Sequence, residues 1–107
     1  MVIFMVGVKF KVITFLGIYK WGDGKTYEGN WEHGEMHGKG KFIWPDGRKF
    51  DGNYRFGKKY GMGTFYYKDG RSIYGNWIDG KLQGNVEKRS TDGKVHTVQY
   101  SNGKEIK

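Results

Sequence analysis

Tyr27-Glu28-Gly29-Asn30-Trp31-Glu32-His33-Gly34-Glu35-Met36-His37-Gly38-Lys39-Gly40-Lys41-Phe42-Ile43-Trp44-Pro45-Asp46-Gly47 is the stretch whose pattern sets the fold. Tyr27, Gly29 and Trp31 alternate with Glu28, Asn30 and Glu32. Gly38, Gly40, Phe42 and Trp44 alternate in the same way with Lys39, Lys41 and Ile43. A period of two with aromatic enrichment reads as strand, with one apolar and one polar face. A link of about six or seven residues containing Gly34 and Gly38 is expected between the two strands. Pro45-Asp46-Gly47 then turns the chain back, because glycine takes positive φ without steric penalty.

The same pattern recurs every 23 residues. Gly29, Gly52 and Gly75 each precede asparagine and then an aromatic ring (Trp31, Tyr54, Trp77). Asp23-Gly24, Asp46-Gly47, Asp69-Gly70 and Asp92-Gly93 keep the step, as do Gly34, Gly57, Gly80 and Gly103. Seventeen of nineteen glycines fall in this register; Gly7 and Gly22 do not. Two and a half units are clear between about Trp21 and Tyr100, and a half-unit carrying Phe15, Gly17, Tyr19 and Trp21 precedes them. In the third unit Val86, Lys88 and Ser90 replace a glycine and two aromatics. Atypical outer units are expected, because a terminal repeat has one neighbour instead of two.

With 107 residues there is room for one domain, 1–107. It divides into degenerate strands over 1–20, recognisable repeats over 21–93, and a capping strand and tail over 94–107. Alanine is absent and leucine occurs twice, which excludes a helical protein. Absent cysteine removes disulfides, thiolate metal sites and thiol nucleophiles. Lys9 and Lys11 interrupt the apolar run of residues 1–18, and a cationic leader with a cleavage site is missing. The run therefore reads as paired strands held down at the terminus, not as a signal peptide or a membrane-spanning helix.

The fold class expected is all-β: an elongated antiparallel meander of 23-residue hairpin repeats, forming one curved sheet with an aromatic groove. The recurring strand glycines suggest that rings lie flat over the backbone there, since glycine otherwise weakens a strand.

Tyr27-Glu28-Gly29-Asn30-Trp31, Gly34, Gly38-Lys39-Gly40-Lys41-Phe42 and Pro45-Asp46-Gly47 together resemble the membrane occupation and recognition nexus (MORN) repeat. The resemblance runs from about Trp21 to Tyr100 and is nearly as close over Phe50–Tyr67 as over the first unit. It implies an elongated β-scaffold of the kind found in cytoskeletal, ciliary and membrane-junction assemblies, or beside enzyme domains. The expected role is a non-catalytic adaptor for protein partners, in the cytoplasm and associated with cytoskeleton or cilium. Accessory subunit of an enzyme complex is an alternative.

Three surfaces are candidates for contact. The first is the aromatic groove, with Tyr27, Trp31, Trp44, Tyr54, Tyr67 and Trp77 as partner-binding residues, joined by Phe42, Phe50 and Phe65. The second is the opposite face, where Ile43, Met62, Tyr66, Tyr74 and Ile78 interrupt a polar pattern. The third is the row of cations after the Asp-Gly pairs, Lys25, Arg48, Arg71 and Lys94, which would meet an anionic membrane surface. Lys58, Lys59, Lys81 and Lys104 mark the other rim. The net charge of +8 invites a nucleic-acid reading, but no nucleic-acid motif supports it. Unguarded edge strands, Val2–Val8 above all, would allow a homo-oligomer.

No catalytic, cofactor or metal residues are assigned. His33, Glu35 and His37 are close in sequence but sit in the expected link, without a second ligand cluster. His96, in the register position of Tyr27 and Phe50, is expected to pack as a ring.

Overall fold

The computed structural model describes residues 2–9 and 12–107, with side chains from residue 17 onward. The strands are β1 (Val2–Lys9), β2 (Val12–Lys20), β3 (Thr26–Glu32), β4 (Glu35–Ile43), β5 (Lys49–Arg55) and the two-residue β6 (Lys58–Lys59). They continue as β7 (Gly61–Tyr66), β8 (Ser72–Ile78), β9 (Lys81–Arg89), β10 (Val95–Ser101) and β11 (Lys104–Ile106). Each pairs antiparallel with its chain neighbours in one unclosed sheet, and β6 pairs with β5 beside the main path. Among the described residues there is no helix. The radius of gyration is 15.1 Å and the extents are 45 × 28 × 20 Å. A compact chain of this length would have a radius near 13 Å, so the meander is elongated as expected.

Two turn types alternate along the chain. At the Asp-Gly pairs the amide of Gly47 donates to the carbonyl of Trp44 at 3.1 Å, and that of Trp44 to Arg48 at 2.9 Å. Gly47 has φ +99. This is a three-residue hairpin closed by a bulge, with Pro45 supplying the fixed φ of the turn's second position. The other turns are shorter than the sequence pattern suggests. His33 and Gly34 alone connect β3 to β4, both with positive φ, and Glu32 pairs directly with Glu35. The expected six- or seven-residue link is thus a two-residue turn, because doubly left-handed turns match the twist of the flanking strands. Glu35, Met36 and His37 belong to β4, and Gly38 (φ +87) marks a bulge within it. The corresponding bulge in the next repeat separates β6 from β7 at Tyr60.

Among the described residues the buried apolar side chains lie on one face: Tyr27, Trp31, Phe50, Tyr54, Ile73, Trp77, Leu82 and Val86. Their rings interlock edge to face across the repeats. Tyr27 meets Trp31 at 5.1 Å and Tyr54 at 5.3 Å; Phe50 meets Tyr54 at 5.6 Å and Trp77 at 5.2 Å. Each such pair contributes about 0.5–1.5 kcal/mol beyond area burial. The glycines are the seats for these rings. A Cβ on Gly40 would stand 2.1 Å from the Tyr27 hydroxyl, and one on Gly63 2.6 Å from Cζ of Phe50. In the third repeat the smaller Ile73 replaces the ring and Val86, fully buried, takes the glycine position. One side chain shrinks as its neighbour grows, so the core volume is retained. His96 does not follow this pattern: it is exposed. The three-residue β11 pairs only with Gln99–Ser101 of β10, so no strand pairs with β10 beside His96 on that side.

Candidate functional site: an aromatic groove with a central lysine

Above the buried rings runs a second, half-buried ladder. Trp21, Phe42, Trp44, Phe65 and Tyr67 follow one another at 5.3, 4.6, 5.7 and 5.1 Å. They come from successive strands and the Asp-Gly turns, and they form one lip of the groove. Tyr67 is 38% exposed and Trp44 half-buried, whereas Tyr27 and Tyr54 are sealed into the floor. Burial pushes both floor phenols well above the ordinary tyrosine range. The Tyr27 hydroxyl donates to the carbonyl of Asn30 at 3.0 Å, and the Trp77 indole to that of Gly63 at 3.2 Å. Of the six groove residues read from the sequence, Tyr27, Trp31, Tyr54 and Trp77 are floor, and Trp44 and Tyr67 are accessible lip.

The opposite lip is built by the two-residue turns. The amide of Gly57 donates to the carbonyl of Met36 at 3.0 Å, Gly80 to Lys59 at 3.0 Å, and Gly103 to Leu82 at 2.9 Å. Each turn is thereby fastened to the preceding repeat. Two hollows remain open between the lips. One, of about 610 Å³, is lined by Phe65, Tyr67, Ile73, Trp77, Leu82 and Tyr100 together with Lys59, Lys81 and Lys104. The other, of about 250 Å³, is lined by Met36, Phe42, Trp44 and Tyr54 together with Lys58 and Lys59.

Lys59 is therefore not a rim residue. Its ammonium lies 5.2 Å from the ring of Phe50, 5.5 Å from Trp77 and 5.8 Å from Trp44. Desolvation pulls its pKa below the ordinary lysine value. The signal was present in the repeat register, where Met36, Lys59 and Leu82 are 23 residues apart. Phe56 is a second residue missed in the sequence. It tops a two-residue turn with φ +51, 70% exposed, with His37 against it at 5.6 Å.

The cations after the Asp-Gly pairs are engaged within their own turns. Lys25 pairs with Asp23 at 3.2 Å, Arg48 with Asp46 at 2.8 Å, Arg71 with Asp69 at 2.7 Å and Lys94 with Asp92 at 3.9 Å. The amides of Lys25, Arg48 and Arg71 donate to the same aspartates and hold those carboxyls below the usual range. Arg48 and Arg71 also lie over Trp44 and Tyr67, at 5.2 and 4.9 Å.

On the far face Ile43, Met62, Tyr74 and Ile78 are exposed, and Tyr66 is half-buried. Tyr66 and Tyr74 line one hollow with Val95, Glu87 and Arg89, while Ile43 and Ile78 lie outside it. Lys49 stands between Ile43 and Tyr66 in the strand register, with its ammonium 4.9 Å over the Tyr66 ring. Asn76 pairs with Met62, and Ile78 sits at the start of a turn. His33, Glu35 and His37 are separated by the turn and strand they occupy. Among the described residues no group of three His, Asp or Glu is placed to hold a metal.

Residues 27–47 and 50–70 each match the family model of the MORN repeat. The chain carries MORN repeats. The two matched units are the hairpin and turn segments in which Tyr27 lies over Gly40 and Phe50 over Gly63. No curated protein matches the chain. No helix among the described residues is long and apolar enough to cross a membrane. MORN repeats are a repeat-protein framework commonly used in protein or membrane interaction.

Proposed function

We propose that this MORN-repeat chain is a non-catalytic docking scaffold that holds a segment of a protein partner in its aromatic groove. The observation that carries the reading is the open hollow of about 610 Å³ beside a ladder of half-buried rings. Accessible aromatics in a concave site supply large contact area at small entropic cost, which is why they dominate interface energetics. The far-face hollow of Tyr66 and Tyr74 is shared with the charged Glu87 and Arg89, and the Asp-Gly rim offers cations already paired with their own aspartates. The resemblance to modules of cytoskeletal and ciliary assemblies makes a cytoplasmic assembly of that kind the proposed setting.

A photo-crosslinking side chain placed at Tyr67 or at Met62, in the native cell, tests the choice of face. Groove docking predicts a discrete protein adduct from position 67 and none from position 62. An adduct confined to position 62 would overturn it. So would flotation with anionic vesicles that is abolished by Arg48→Glu with Arg71→Glu.

A further inference from the structure

Met36, Lys59 and Leu82 occupy the same place in three successive repeats, and their strands bring them onto one face of the sheet. Met36 packs against the core and Leu82 is 6% exposed, so the position is an apolar one. In the middle repeat it holds a cation. The ammonium is caged by three rings, borders both hollows, and pairs with no carboxylate among the described residues. Neither hollow is lined by an aspartate or a glutamate, while Lys58, Lys81 and Lys104 stand along the same lip. Lys88, beside the Tyr100 ring, by contrast pairs with Glu105 at 2.5 Å.

A charge in an apolar cage without a counter-charge lowers stability unless something else compensates it. Ring faces compensate in part. Local violations of packing logic are characteristic of functional sites.

Resting on the groove reading above, we propose that the docked segment is acidic and apolar together: one carboxylate side chain pairs with Lys59, and apolar side chains enter the hollows on either side. Charge complementarity selects this occupant over a basic or purely apolar segment. Lys59 is then the residue that sets partner specificity, and the lip lysines favour further acidic residues along the segment. Desolvation in the groove strengthens the pair relative to a surface ion pair, where water screens the attraction.

The test is a random dodecapeptide display library panned against the full chain, followed by affinity measurement of the enriched peptides on variants. Lys59→Met restores the residue type found at Met36, keeps the shape of the side chain and is expected to raise Tm. Tyr67→Ala removes part of the lip without touching Lys59. Expected are peptides with aspartate or glutamate between apolar residues, weakened about ten-fold or more by Lys59→Met and also weakened by Tyr67→Ala. Peptides sensitive to Tyr67→Ala but lacking acidic residues, or indifferent to Lys59→Met, would leave groove docking standing and overturn the acidic segment. Failure to enrich any peptide sensitive to Tyr67→Ala would overturn both. Phosphatidylserine vesicle binding abolished by Lys59→Met would assign the lysine to lipid and also overturn the proposal.

Discussion

Phe56 has φ +51 at a position where His33, Asp79 and Asn102 stand in the other turns. Histidine, aspartate and asparagine tolerate the left-handed region; a bulky ring does not. Phe56→Asn should therefore stabilise the fold by about 1 kcal/mol, read as a higher urea midpoint at unchanged slope. An unchanged or lower midpoint would show that the stacking on His37 outweighs the backbone strain. Both Phe56 and Lys59 were visible in the 23-residue register, yet their orientation was not. Reading residues 32–38 and their repeats as an open link leaves no strand alternation there, so no face can be assigned. The two-residue turn extends the alternation back to Lys59 and points it inward beside Tyr54.

At the scale of the repeat, the Tyr27–Gly40 and Phe50–Gly63 pairs and their Ile73–Val86 counterpart are alternative solutions of one packing problem. Gly40→Val should cost about 3 kcal/mol, because the new side chain enters the space of a fully buried ring. Adding Tyr27→Ile should recover at least about 1 kcal/mol of that loss, a coupling expected of residues in contact. Strict additivity in urea denaturation would contradict the exchange. Gly22→Ala, where a Cβ meets nothing within 4 Å, should change stability by less than about 0.5 kcal/mol. Strands, turns and ring seats were legible because glycine and aromatics repeat at one period. The bulges at Gly38 and Gly61 were not, since a bulge glycine and a loop glycine look alike in sequence. The exposure of His96 was also hidden, because the register gives a residue its slot but not the neighbour that covers it.

Across the whole molecule, an open single sheet has one buried face, and its titratable groups decide the response to alkali. Tyr27 and Tyr54 hold their protons in the fold above the pH at which the unfolded chain, with pKa 10.0, releases them. Their contribution is fully present below pH 10 and is lost as pH rises further. Lys59 has the opposite sign. Its charged form is penalised in the groove, and the penalty is relieved as pH climbs through its lowered pKa toward the unfolded value of 10.5. Urea midpoints followed from pH 7 to about 11 should therefore fall earlier in Lys59→Met than in the native chain. Parallel curves would contradict the buried placement of the ammonium. The same open sheet leaves its groove free to hold a partner, and that is tested most directly by NMR titration of the native chain with the segment recovered from the Tyr67 crosslink. Shifts confined to Trp44, Lys59, Phe65, Tyr67 and the Trp77 indole are predicted. Shifts centred on the Asp-Gly turns at Arg48 and Arg71, or on Met62 and Tyr74 with the groove silent, would contradict it.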